Sequence, residues 1–101
     1  MILYRTRKFD AWLKDLRDRN ARARIQVRLD RLERGLAGDA KPVGEGVSEL
    51  RIPYGPGYRV YFMRSGAEEC LILMGGTKGS QRSDIREAMM IANALAGGRD
   101  E

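Results

Sequence analysis

Residues 47–78 read V-S-E-L-R-I-P-Y-G-P-G-Y-R-V-Y-F-M-R-S-G-A-E-E-C-L-I-L-M-G-G-T-K. Three apolar-rich runs, heavy in Val, Ile, Tyr and Phe, are separated by Y-G-P-G-Y and S-G-A-E-E. Runs of this composition bounded by Gly, Pro and Ser predict strands joined by tight turns. Arg51, Arg59 and Arg64 are set into the pattern and Lys78 closes it. A curved antiparallel sheet with basic side chains on one face is a cradle for a phosphate backbone.

Alternation within the runs assigns faces. Ser48, Leu50, Ile52 and Tyr54 share one side of the first strand, and Val47, Glu49 and Arg51 the other. Pro53 ends or bends that strand, because it cannot donate to a ladder. In the second strand Tyr58, Val60, Phe62 and Arg64 alternate with Arg59, Tyr61 and Met63. The third run, from Glu69 to Met74, is nearly continuous in apolar residues, the pattern of a strand covered on both faces.

Upstream, Met1–Tyr4 is a short apolar run compatible with a further strand. Thr6 is placed to cap a helix carrying Phe9, Trp12, Leu13 and Leu16 at helical spacing. Trp12 could stack on a base, but its place in that stripe reads as a core anchor. Asn20 is positioned to cap a second helix with Ile25, Leu29, Leu32 and Leu36 on one side and Arg22, Arg24, Arg28, Arg31 and Arg34 on the other. The two form an αα-hairpin. Gly35 and Gly38 weaken the second helix and Lys41-Pro42 stops it, leaving residues 43–46 as an exposed linker.

Downstream, G-G-T-K-G lacks the spacing of a nucleotide phosphate loop. Ser83 or Asp84 is placed to cap a last helix with Ile85, Met89, Ala92 and Ala96 on its apolar face, ended by Gly97-Gly98. The expected order is β-α-α-β-β-β-α, an α+β fold in one domain spanning residues 1–101. Its helices cover one face of the sheet and leave the other face, or its curved lip, free to bind.

Composition narrows the chemistry. The chain contains no histidine and one cysteine. This excludes Ser-His-acid and Cys-His constellations, an intrachain disulfide and a multi-cysteine metal site. Cys70, inside an apolar run, reads as a buried thiol. The formal charge is +5, which suits an anionic partner, nucleic acid or an acidic protein. Residues 1–34 hold eleven basic and five acidic side chains, so most of the basicity lies in the helices. With no membrane-length apolar run and no signal-peptide pattern, the expectation is a cytoplasmic protein without a membrane partner.

The run E-L-R-I-P-Y-G-P-G-Y-R-V-Y-F, followed by L-I-L-M-G-G-T-K-G-S-Q-R-S-D-I, resembles the RelE/ParE toxin superfamily. Within it the resemblance is nearest to HigB-like addiction-module killer proteins related to phage Gp49. It extends to the opening R-T-R-K-F-D-A-W-L and so covers nearly the whole chain. It implies a RelE-like fold, with a curved antiparallel sheet packed against an N-terminal helical hairpin and a C-terminal helix. It also implies the toxin of a type II toxin–antitoxin module, neutralised by a helix-turn-helix antitoxin, with a heterotetramer as one expected assembly. RelE-type members cleave mRNA, usually on the ribosome, whereas ParE-type members poison DNA gyrase by binding it.

Carried over by residue, Arg59 matches the arginine that contacts the scissile phosphate, Arg51 a basic residue of the preceding strand, and Lys78 a basic residue after the last strand. Gly79 and Ile85 stand where the ribosome-dependent prototype has an arginine and a tyrosine. The expected activity is a metal-independent and cofactor-independent endoribonuclease with Arg59, Arg51 and Lys78 as catalytic residues. Tyr54, Tyr58, Arg64 and Arg82 are the candidate RNA contacts, and Tyr61 is a further candidate for stacking. A lysine, a tyrosine or Glu49 is left as the base. The plain alternative pairs Arg51 and Arg59 with Glu49, Glu68 or Glu69 as structural ion pairs.

Overall fold

The protein, seen as a computed structural model describing residues 1–99, is an α+β fold of three helices and a five-stranded mixed sheet. The order is β1 (Ile2–Arg5), α1 (Arg7–Asp15), α2 (Arg19–Glu33), β2 (Ala40–Gly44), β3 (Val47–Ile52), β4 (Tyr58–Gly66), β5 (Glu69–Thr77), a 3-10 turn (Lys78–Ser80) and α3 (Gln81–Arg99). The strands lie in the order β1-β5-β4-β3-β2. β2 through β5 are antiparallel, and β1 joins β5 in parallel at one edge.

The meander read from residues 47–78 is present, and alternation assigns its faces as expected. Leu50, Ile52, Tyr58, Val60 and Phe62 pack with Phe9, Ala21, Ile25, Leu29 and Leu32 of α1 and α2. Val47, Tyr61, Leu73 and Met74 pack instead against Ala88 and Ala92 of α3. The expectation of a free sheet face is therefore corrected. α3 covers the second face because Val47, Tyr61, Leu73 and Met74 make it apolar and costly to leave in water.

Trp12 is partly buried and packs against the core on the α1–α2 side, as expected of an anchor. Its ring meets Phe9 and Tyr58 at centroid distances of 5.8 and 6.2 Å. It rests on the bare backbone of Gly75, where any Cβ would collide with the indole.

Residues 43–46 are not a linker. Ala40–Gly44 form the outer strand β2, which tolerates Pro42 because an edge position needs no donor on its open side. Glu45 (φ 52°) and Gly46 (φ 80°) make the two-residue hairpin turn into β3, both with positive φ. α2 stops at Glu33, where Gly35 turns left-handed and Leu36 N–H reaches back to Arg31 O. Leu36 is consequently exposed and not part of the apolar stripe. The cap of α2 is Asp18, not Asn20, because the Asp18 carboxylate accepts from both Asn20 N and Ala21 N. Neither Ser83 nor Asp84 caps α3. The chain enters it through the 3-10 turn, Asp84 accepts a 2.6 Å bond from Ser80, and α3 continues past Gly97-Gly98 to Arg99.

Candidate functional site

The register brings several polar residues together at one end of the sheet. Arg51 and Arg59 are direct cross-strand partners, so their side chains leave the same face, and Arg59 is also opposite Gly76 of β5. One row inward on that face stand Glu49 and Tyr61, again paired. The 3-10 turn and the first turn of α3 close the corner. Lys78 N–H donates to Gly57 O at 2.7 Å, tying the end of β5 to the turn before β4.

Gly57 (φ 81°) lets Arg59 Nη1 and the Lys78 stem approach its Cα, where a Cβ would crowd both. Gly76 similarly leaves room for Asp84, whose carboxylate would collide with any side chain there.

The buried centre of this corner is Glu49, Arg59, Tyr61 and Gln81. Glu49 is fully buried and Arg59 is 9% exposed. Gln81 Nε2 donates to Glu49 Oε2 at 2.7 Å, and Arg59 Nε lies 3.7 Å from Glu49 Oε1, an ion pair too long for a hydrogen bond. Glu49 Oε1, Arg59 Nε and Tyr61 Oη are all buried without a hydrogen-bond partner. Burial, then the charges of Glu49 and Asp84, push the Tyr61 phenol well above its ordinary pKa. Its surroundings therefore favour the neutral phenol.

The arginines differ in how much of their donor capacity is used. Arg28 Nη1 donates to Arg51 O at 2.6 Å, and its Nη2 donates to Ala37 O and Asp39 O, both at 3.1 Å. Burial, with Arg31 nearby, lowers its pKa against the pull of Asp39. Arg51 clamps one Asp39 oxygen with Nε at 3.0 Å and Nη2 at 2.7 Å, yet keeps a partly exposed side chain. Arg59 makes one long hydrogen bond among the described residues, Nη1 to Tyr58 O at 3.4 Å. Its donors are therefore the least used of the three.

Of the residues named from sequence, Arg59 and Arg51 pair across β3 and β4 here. Lys78 follows on the adjoining turn, and Arg82 is exposed at the start of α3. Glu49, named as a base, and Tyr61, named for stacking, are fully buried one row inward, so Tyr61 has no ring face free to stack. The other three lie elsewhere. Tyr58 is 7% exposed and packs edge-on against Trp12 on the opposite face, because its parity in β4 points it at α1 and α2. Arg64 lies near the far end of β4, opposite Cys70. Tyr54 has the Arg24 guanidinium 4.5 Å from its ring centroid and donates its hydroxyl to Asp18, so one face of its ring is occupied and its place is the α2 groove. Sequence reasoning missed Gln81 and Asp39. Asp39 sits just before the outer strand, in a stretch with no strand pattern to mark it.

Two grooves lie away from this corner. One, of about 600 Å³, runs between α2 and the β3–β4 turn, with Arg24, Val27, Arg31 and Tyr54 on its walls. The other, of about 540 Å³, lies between α3 and the β4–β5 hairpin. No group of three metal-ligating side chains is found among the described residues, and no helix among them is long and apolar enough to cross a membrane.

An uncharacterized protein of Haemophilus influenzae is 42% identical over 90 residues, covering 89% of this chain and 91% of the relative. No family model matches the chain, and no solved structure matches it.

Proposed function

The chain belongs to one family with that Haemophilus influenzae protein, and we propose that it is a RelE-like toxin of a type II toxin–antitoxin module that cuts mRNA. The observation that carries this is Arg59, a cation withdrawn from water and held beside Glu49 with most of its donors unspent. Such a guanidinium suits a bidentate grip on a phosphate. Arg51 stands opposite it across the sheet, and Lys78 and Arg82 follow on the adjoining turn and helix.

The reaction is transesterification within the RNA. The 2′-hydroxyl attacks the adjacent phosphorus, the P–O5′ bond breaks, and the products are a 2′,3′-cyclic phosphate and a 5′-hydroxyl. Arg59 and Arg51 neutralise charge on the non-bridging oxygens as the phosphorane forms. Lys78 stands at the exposed rim for electrostatic or proton-transfer duty, and a ribosome supplies the positioning that the open corner lacks. The partner in this reading is a helix-turn-helix antitoxin, in a heterotetramer, and the place of action is the cytoplasm.

A second reading, a ParE-like gyrase inhibitor acting by contact alone, is favoured by the groove along α2, an apolar strip rimmed by Arg24 and Arg31.

One experiment tests both. Purified wild type and R59A are incubated with mRNA, with and without ribosomes, and the 5′ ends are mapped. Wild type is expected to leave 5′-hydroxyl ends, and R59A to lose about 10²-fold or more of the rate. Toxicity that survives R59A with no RNA product would sink the nuclease reading.

A further inference from the structure

The two edges of the sheet are unlike. β2 carries the usual protections against pairing with another chain: exposed Lys41, Pro42, and a register shift between Pro42 and Gly44. β1 carries no proline, no lysine and no shift in its register with β5. It also leaves Ile2 53% and Tyr4 49% exposed.

The bonds Ile2 N to Glu68 O (2.7 Å) and Thr6 N to Ile72 O (3.1 Å) show that the even-numbered residues of β1 face β5. Alternation therefore turns the N–H and C=O of Leu3 and Arg5 away from the sheet. Tyr4 borders the groove whose walls include Met63, Leu71 and Leu95, so the open edge continues into an apolar surface on the α3 side.

We propose that this edge is a homodimer interface, in which β1 pairs antiparallel with β1 of a second copy about a two-fold axis between the two Tyr4 residues. In that register Leu3 of each copy faces Arg5 of the other, and each pair exchanges both N–H···O bonds. Every outward group of Leu3 and Arg5 is then used. Tyr4 faces its own counterpart at a non-hydrogen-bonded position, where cross-strand side chains approach most closely.

An axis perpendicular to the sheet keeps both Tyr4 rings and both grooves on the α3 side, joining the apolar surfaces. Charge selects the same arrangement. One end of the edge carries exposed Arg7, and the other carries Glu68, whose side chain is 85% exposed. Antiparallel pairing sets the basic end of each copy beside the acidic end of the other. A second copy fits because the edge is complementary to itself, as an isologous contact requires.

Light scattering on the full chain should give twice the chain mass of 11.4 kDa. Tyr4→Cys should form a disulfide-linked dimer under mild oxidation, since non-hydrogen-bonded cross-strand pairs bring Cβ atoms within bonding reach. Met90→Cys, on α3 and 70% exposed, is the control for random collision. Tyr4→Lys, which opposes like charges across the axis, should return the single-chain mass with an unchanged circular dichroism spectrum. A wild type that keeps the single-chain mass at every concentration reached, with Y4C linked no faster than M90C, overturns the proposal. The Y4C readout decides the matter even if Y4K does not fold.

Discussion

Arg59 Nε lies 3.7 Å from Glu49 Oε1 with both side chains withdrawn from water, and Gln81 holds the other carboxylate oxygen at 2.7 Å. Taking both charges out of water is costly, and an ion pair this long repays that cost poorly. The pair is therefore better suited to holding a guanidinium in place than to stabilising the fold. Removing one partner alone should be severe. E49A, which strands Arg59 without a counterion, is expected to lose about 3–5 kcal/mol. E49A/R59M should lose less than E49A, and urea denaturation of the single and double variants measures the difference.

Close backbone approach at β5 makes two glycines irreplaceable for different reasons. G75A would drive a methyl into the Trp12 ring and G76A would drive one into the Asp84 carboxylate. Each should cost about 1–3 kcal/mol. Only G75A should shift the tryptophan fluorescence maximum, and thermal melts with emission spectra separate the two.

Burial pushes the Cys70 thiol up to about 11, well above the ordinary thiol range, against a smaller pull from Arg64. The folded state disfavours the thiolate. Its contribution is fully present below pH 9 and is lost as pH rises through 11. Cys70→Ala should flatten that part of the alkaline stability profile. In the folded protein the thiol should resist a disulfide reagent at pH 8 and react once urea unfolds the chain.

The Asp18 carboxyl is held below its ordinary pKa chiefly by the Ala21 N–H, against an opposing effect of burial, with Tyr54 Oη, the Asn20 N–H and Arg24 adding to the lowering. The folded state therefore favours the carboxylate. The stabilisation is present above the unfolded pKa, near 4, and disappears as pH falls through the lowered value. D18A should reduce the melting temperature at pH 7 and leave it little changed at acid pH. The mobility of Tyr54, read by NMR, should rise in the same variant.

Much of this fold is legible in the chain because strand and helix periods leave a direct trace. The parity of Leu50, Ile52, Tyr58, Val60 and Phe62 against Val47 and Tyr61 is the parity of the two packed faces. β2 escaped that reading because Lys41-Pro42 breaks the pattern, and only its pairing with β3 makes it a strand. The candidate site was half legible. Arg59 and Arg51 pair across the sheet and Lys78 lies on the turn beside them, but the parity of Tyr58 and the position of Arg64 carry those two elsewhere.

By itself the sequence determined the meander, the helix stripes, the absence of histidine chemistry and the excess of arginine, all properties of local order and composition. Tertiary structure alone decided that α3 closes the second face, that β1 is an open edge, and which arginines keep free donors. The last of these depends on which carbonyl or carboxylate lies near each guanidinium. Such partners come from distant parts of the chain, Asp39 for Arg51 and Glu49 for Arg59. No period in the sequence encodes them.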